Sequence, residues 1–269
     1  MDMSGVVTGQ GVTPGIVRIG STVRRPMRPF SRTVHAFLSH LHSRGFVDAP
    51  IPMGVDDQGR EVLSYVPGRA ATEPLDDELA GDGVLVALAR LVRRLDDAAE
   101  GWTPPESATW GGVPGSGAGG VVPLFDAPAL VGHRDFFPGN VIVRDGVPAA
   151  AIDFDLAGPT TRVCEVANAL YWWAPLLDPV DRAPAFVHLD ISHRISVFVD
   201  AYGLDEVQRH QLPPLLTTMI HNYHLTAAES ARLDPVFRKF WEDGVRERMP
   251  RAEAWIAEHT AEIADAVRR

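Results

Sequence analysis

Between Leu130 and Arg162 the chain reads LVGHRDFFPGNVIVRDGVPAAAIDFDLAGPTTR. The residues with chemical potential are Asp135, Asn140 and Asp153, and His133 and Arg134 precede the first of them in the spacing H-R-D-x-x-x-x-N. A carboxylate can orient a hydroxyl and take its proton. A second carboxylate and an amide oxygen are hard ligands of the kind Mg2+ prefers. Together they suit phosphoryl transfer from a nucleotide, in which a base activates the acceptor and a metal neutralises phosphate charge. Turn formation explains some of the same residues, since Asn140 follows Gly139 and Asp145 precedes Gly146. It does not explain the joint spacing.

Local elements must bring these residues together. Val141-Ile142-Val143 reads as a short strand, Asp145-Gly146 as a two-residue hairpin turn, and Ala149 to Ile152 as the returning strand that ends on Asp153. A loop, a hairpin and a strand end would then converge Asp135, Asn140 and Asp153.

This stretch resembles the aminoglycoside phosphotransferase family and its choline-kinase-like relatives. Those enzymes carry H-x-D-x-x-x-x-N followed by an Ile-Asp strand end, and HRDFFPGN and AIDFD match both. The resemblance implies an α/β (α+β), bilobal protein-kinase-like fold, with a small antiparallel sheet in the first lobe and a mainly helical second lobe. It implies ATP as co-substrate, Mg2+, and a small-molecule acceptor. It makes Asp135 the catalytic base, Asn140 a metal ligand and Asp153 the main metal ligand, with Asp155 assisting at most.

The rest of the chain reads in order. GVVTGQGVTPG is a glycine-rich turn in which Gly9 and Gly11 would let backbone N–H groups approach phosphates. The spacing fails the dinucleotide fingerprint, so the assignment leans on the resemblance. Thr22 to Pro26 is the strand where a kinase places its phosphate-binding Lys, but the only Lys is Lys239. Arg24, or failing that Arg25, takes that place, because alternation turns one inward and one outward. Ser31 to Arg44 is a helix with Ser31 as N-cap and an apolar stripe of Val34, Phe37, Leu38 and Leu41. No acid lies between Ser31 and Arg44 to pair with the strand cation, and His35 occupies the position by resemblance. Strands at 49–55 and 61–66 flank the turn Asp56–Gly59, and by resemblance Ser64, Tyr65 and Val66 meet the adenine. The lobe boundary is expected there, giving lobes 1–67 and 68–269.

Residues 75–99 carry a helical apolar stripe with an early break at Gly81 and Gly83. Residues 101–122, with GGVPGSGAGG, read as a flexible loop. RVCEVANALYWW is a helix in which Glu165 falls where relatives brace the catalytic loop. Further helices are expected at 184–203, 206–232 and 235–267. His221 and His224 lie one turn apart without an identifiable third ligand. Glu229, Asp234, Glu242 and Asp243 are acceptor-side candidates by location alone.

Composition sets the outer bounds. The length of 269 residues suits one large domain or two lobes. One cysteine, Cys164, excludes an internal disulfide framework and suits a reducing cytoplasm. No basic-then-apolar leader opens the chain, and no run of about 18 apolar residues would span a membrane. A net charge of −10 argues against nucleic acid as partner. It divides as +2 over 1–67 and −12 over 68–269. That split suits a cationic acceptor, or equally a surface kept soluble by acids. The missing Lys and helix Glu leave a second function open: a nucleotide-binding regulatory protein, a degenerate kinase with little turnover. A protein kinase fits less well, because Asp153 to Glu165 leaves no room for an activation loop.

Overall fold

The computed structural model describes residues 5–6, 15–72 and 75–269. Among them, a five-stranded antiparallel sheet is built from β1 (Gly5–Val6), β2 (Val17–Ile19), β3 (Thr22–Pro26), β4 (Pro52–Val55) and β5 (Arg60–Ser64), in the order β1-β2-β3-β5-β4. Helix α1 (Ser31–Ser43) packs on one face through Val34, Phe37, Leu38 and Leu41, all buried. That is the stripe its 3.6-residue period dictates. The residues between β4 and β5 form a turn closed by Asp56, whose carboxylate accepts from the N–H groups of Gln58 and Arg60.

One expectation fails at the start of α1. Ser31 does not cap the helix: Phe30 precedes it without a side-chain cap, and the Ser31 hydroxyl instead donates to Glu61 at 3.1 Å. A buried carboxylate needs the hydroxyl's proton, and Ser31 Oγ accepts from Arg28 N–H in turn, so it is not available to the helix N–H groups.

The chain then crosses to a helical layer. β6 (Arg69–Ala70) pairs with β8 (Val141–Arg144), which forms a hairpin with β9 (Val147–Ala151). Its turn is Asp145-Gly146, with φ of +52° and +74°, the left-handed pair that a two-residue hairpin requires. A second small ribbon joins β7 (Leu130–Gly132) to β10 (Gly158–Thr160). Helix α2 (Asp82–Ala99) follows a 3-10 turn at Asp77–Ala80, with Gly81 at the break. Helix α3 (Arg162–Trp173) is buried on nearly every side, as its run of apolar residues demands. It is packed by α2 and by α4 (Ile191–Tyr202) and α5 (Glu206–Leu233). Asp190 and Asp205 cap the last two, so α4 starts later than 184 and only a 3-10 turn at Pro184–Phe186 precedes it. The final stretch is α6 (Pro235–Phe240), a π-turn around Gly244, α7 (Arg246–Glu258) and α8 (Thr260–Arg268). The helix expected across 235–267 is thus divided.

Residues 101–122 overturn the reading of a flexible loop. They have no helix or strand, yet they form a strap pinned along their length. Thr109 N–H donates to Thr33 Oγ1 at 3.0 Å and its hydroxyl to the Pro29 carbonyl at 2.9 Å, both at the α1 end. Gly115 N–H donates to Ser230 Oγ at 3.0 Å, and Val122 exchanges two bonds with the Asn222 amide, both on α5. Trp102 packs tilted against Phe37, and Trp110 lies edge-on to Trp102. The glycines there serve close approach: a Cβ on Gly111 would stand 1.8 Å from the Asp155 carbonyl, and one on Gly115 would stand 2.3 Å from that of Thr226.

Candidate active site

Asp135 stands in the loop between β7 and β8, and α3 fixes that loop from below. Glu165 Oε2 accepts from the N–H groups of His133, at 2.9 Å, and Arg134, at 3.1 Å. Arg134 adopts φ +66°, a left-handed turn that a non-glycine residue holds only under such constraint. One helical turn on, Asn168 Oδ1 accepts from Phe136 N–H at 2.6 Å, and its amide donates to the Tyr223 hydroxyl at 2.9 Å. Trp173 donates from its indole to the Phe136 carbonyl at 2.8 Å. Burial pushes the Glu165 carboxyl up to about 7. Asp96 of α2, buried and repelled by Glu165, is held well above the ordinary carboxylate range.

His133 links the loop to the strand end. Burial pulls its pKa down to about 4, so the ring is neutral. Nε2 lies 2.9 Å from the Ile152 carbonyl and Nδ1 accepts from Asp135 N–H at 3.2 Å, which puts the proton on Nε2. The ring packs against Phe136 and, edge-on, against Phe154.

Asp135, Asn140 and Asp153 converge in one site. Asn140 Nδ2 donates to Asp135 Oδ2 at 2.8 Å and to its carbonyl at 3.1 Å. Its Oδ1 makes no hydrogen bond among the described residues and is left for a ligand role. Burial, and then the charge of Asp153, push Asp135 up to about 7. Asp153 sits at φ +60°, with its side chain 43% exposed to the cleft. Its Oδ1 lies 3.3 Å from Arg25 Nη1, while Asp155 Oδ1 lies 2.6 Å from Arg25 Nη2. Among the described residues no cluster of three His, Cys, Asp or Glu side chains makes a self-sufficient metal site. The Asp153 carboxylate and the Asn140 amide oxygen fit Mg2+, which keeps waters and takes phosphate oxygens for the rest of its shell.

The strand cation is where the sequence reading must be corrected. Arg24 turns away from the site: it donates to Thr22 Oγ1 at 2.7 Å and pairs with Asp56 at 3.3 Å. Arg25, its neighbour, is the buried residue that faces Asp153 and Asp155. Alternation was right that one arginine points inward, but it could not say which, because register is set by pairing with β5. Directly opposite Arg25 in that pairing is Glu61, which sequence reasoning missed. Only an acid amid the apolar strand residues of EVLSYV hinted at it.

Gly9 and Gly11 lie outside the described residues. Ser64 and Tyr65 have their N–H groups committed to the Ile51 and Ser21 carbonyls, so of these three only Val66 has an amide donor without a partner among the described residues. Arg18 stacks 3.6 Å over the Tyr65 ring. Trp173 is core, whereas Trp172 is half-buried beside Phe137. His221 and His224 both bond Glu253, at 2.6 and 2.8 Å. The acceptor-side candidates serve local structure: Glu229 pairs with Arg232, Asp234 caps α6, and Asp243 pairs with Lys239. Glu242 lies on the same π-turn.

A loop carboxylate beside an amide and a second carboxylate, between a small antiparallel sheet and a helical layer, defines the class of kinase-fold phosphotransferases. The profile of the APH phosphotransferase enzyme family matches residues 120–191. The chain is 32% identical over 231 residues to the trifolitoxin immunity protein of Rhizobium leguminosarum bv. trifolii, covering 84% of each. Its fold is similar to that of an amicoumacin kinase in complex with AMP-PNP, Ca2+ and Ami (TM-score 0.65, 14% identity, 97% of this chain and 88% of that one). It is also similar to that of a choline/ethanolamine kinase family protein from Mesorhizobium loti (TM-score 0.62, 15% identity, 96% and 90% covered). The chain belongs to the APH phosphotransferase enzyme family. Among the described residues no helix is long and apolar enough to cross a membrane.

Proposed function

We propose that this chain transfers the terminal phosphoryl group of ATP to a hydroxyl of a small molecule. The observation that carries the reading is the Asp135 carboxylate, clamped by Asn140 Nδ2 at 2.8 Å in a loop braced by Glu165 and set beside Asp153. Asp135 orients the acceptor hydroxyl and takes its proton as the phosphoryl group moves across. Asn140 and Asp153 would hold Mg2+, which when bound neutralises phosphate charge. The amide of Val66 offers the base a hydrogen bond, and residues 1–67 form the nucleotide lobe, with the acceptor held by 68–269.

The acceptor class is read from chemistry and kinship together. The 32% identical relative is named for immunity, which supports a growth-inhibiting compound as acceptor. Positive charge on that compound is a further proposal, resting on the acidic excess of residues 68–269. The lone thiol of Cys164, buried and pushed up by that burial, suits a reducing cytoplasm.

A nucleotide-consumption screen against hydroxyl-bearing inhibitors and small alcohols tests the reading. Turnover is expected with one class of acceptor in the wild type, and Asp135→Asn should lose it. Equal consumption by both proteins would overturn the assignment.

A further inference from the structure

Arg25 and Glu61 face each other directly across β3 and β5. Glu61 is fully buried, and Arg25 is 6% exposed. Glu61 Oε1 lies 2.9 Å from Arg25 Nε and 3.1 Å from the Ser31 hydroxyl, and Oε2 lies 2.6 Å from His35 Nε2. Among the described residues, Arg25 and the α1 residues thus supply every partner of this carboxylate. A buried carboxylate is costly unless so paired. His35 and Arg25 outweigh burial and hold Glu61 below its usual range, so it is ionised.

The guanidinium is a rigid fork with donors on separate edges. Glu61 lies at the Nε end as an ion pair, its charge 2.9 Å from Nε without a hydrogen bond from that N–H. At the other end Nη1 donates to Asp153 Oδ1 at 3.3 Å and Nη2 lies 2.6 Å from Asp155, on the wall of the site where phosphates would lie. The cation that the strand lacks as Lys is present as Arg25. The acid that α1 lacks is present one strand over, and α1 is tied to it through Ser31 and His35.

We infer that Glu61 is a positioning residue that holds Arg25 against the nucleotide phosphates, with His35 joining helix α1 to the same carboxylate. This rests on the proposed function and names how its nucleotide site is assembled. The strand register sets Glu61 directly opposite Arg25, so a neighbouring strand can supply the countercharge.

The test is calorimetric affinity for Mg·ADP and for metal-free ADP, with melting temperature read alongside, on the full chain. The wild type should bind. Arg24→Ala, which alters only the outward arginine, should bind within about twofold of it. Glu61→Gln should weaken binding by about tenfold or more, because it leaves the buried Arg25 without its countercharge. The double variant His35→Glu/Glu61→Gln returns the acid to α1 and should recover most of that loss. Arg25→Lys keeps the charge but loses the fork, and should bind about tenfold more weakly. Binding by Glu61→Gln at wild-type strength overturns the inference, as does a folded double variant no better than the single. If Glu61→Gln does not fold, Arg25→Lys decides: wild-type affinity there overturns the assignment. A wild type that binds no nucleotide overturns the functional reading as well, an outcome distinct from variants that bind as it does.

Discussion

Asp135 is held by more than its own sequence neighbours, and this shapes what its replacement should do. Asn fills the same space and can still meet the Asn140 amide region, so the loop should survive. Asp135→Asn should therefore lower kcat by roughly 10²-fold or more, the scale of general-base loss, with nucleotide affinity little changed. Asp153→Asn should instead weaken Mg2+-dependent nucleotide binding, because the role proposed for Asp153 is that of a charged metal ligand and not of a proton acceptor. Steady-state kinetics with parallel binding data separate the two, and an Asp135 variant that turns over normally would sink the base assignment. The residue scale was legible in part. Asp135, Asn140 and Asp153 announced themselves because their spacing is local, within one loop and one hairpin. Arg25 and Glu61 did not, because their meeting depends on strand register across 36 residues of chain.

At the scale of elements, α3 and the strap make separate predictions. The Glu165 carboxyl sits near 7 in the folded chain against an ordinary 4.5, and Asp96 is also raised. The folded state therefore keeps a proton that the unfolded state releases. The contribution of the Glu165 carboxyl is fully present below about 4.5 and is lost as pH rises to about 7, opposite in sign to that of His133, whose lowered pKa takes stability away as pH falls. Glu165→Gln still accepts the two loop N–H groups but cannot titrate, so urea unfolding across that window should show a flatter pH dependence than the wild type. Identical slopes would show that the proton resides elsewhere. Gly111→Ala forces a methyl group against the Asp155 carbonyl and should cost about 1–3 kcal/mol, whereas Gly112→Ala, whose Cβ would meet nothing closer than 3.8 Å, should be nearly silent. The strap was misread because GGVPGSGAGG has no periodicity. Glycine marks close packing against backbone as readily as it marks freedom, and only the neighbours tell which.

For the whole molecule, the sheet-plus-helices architecture was legible because α2 and α3 carry long apolar stripes and the hairpin carries its turn residues. The subdivision of 235–267 was not, since Gly244 at φ +123° breaks a pattern that reads as continuous. The charge split was legible but its destination was not: several of the surplus acids cap helices or pair with neighbouring arginines. Nucleotide binding should nonetheless report on the entire fold. At about 100 times its Kd, a ligand specific to the native state adds about 2.7 kcal/mol of stability. Mg2+ with ADP should therefore raise Tm in differential scanning fluorimetry, and EDTA should reverse most of the gain. No shift at saturating ligand would count against a nucleotide site between the two layers.

The strap has a mechanical consequence. The chain passes from the sheet layer to the helices once, near Val66 to Arg69, and the strap fastens them again at Thr33 and Pro29. These seams run in parallel with others: the Asp48 carbonyl accepts from Ala151 N–H, its carboxylate pairs with Arg94, and His40 meets the Ala98 carbonyl. Layers stitched along several lines resist being drawn apart as a hem sewn on both edges does, and Asp155, touched by the strap at Gly111, lies on one of those lines.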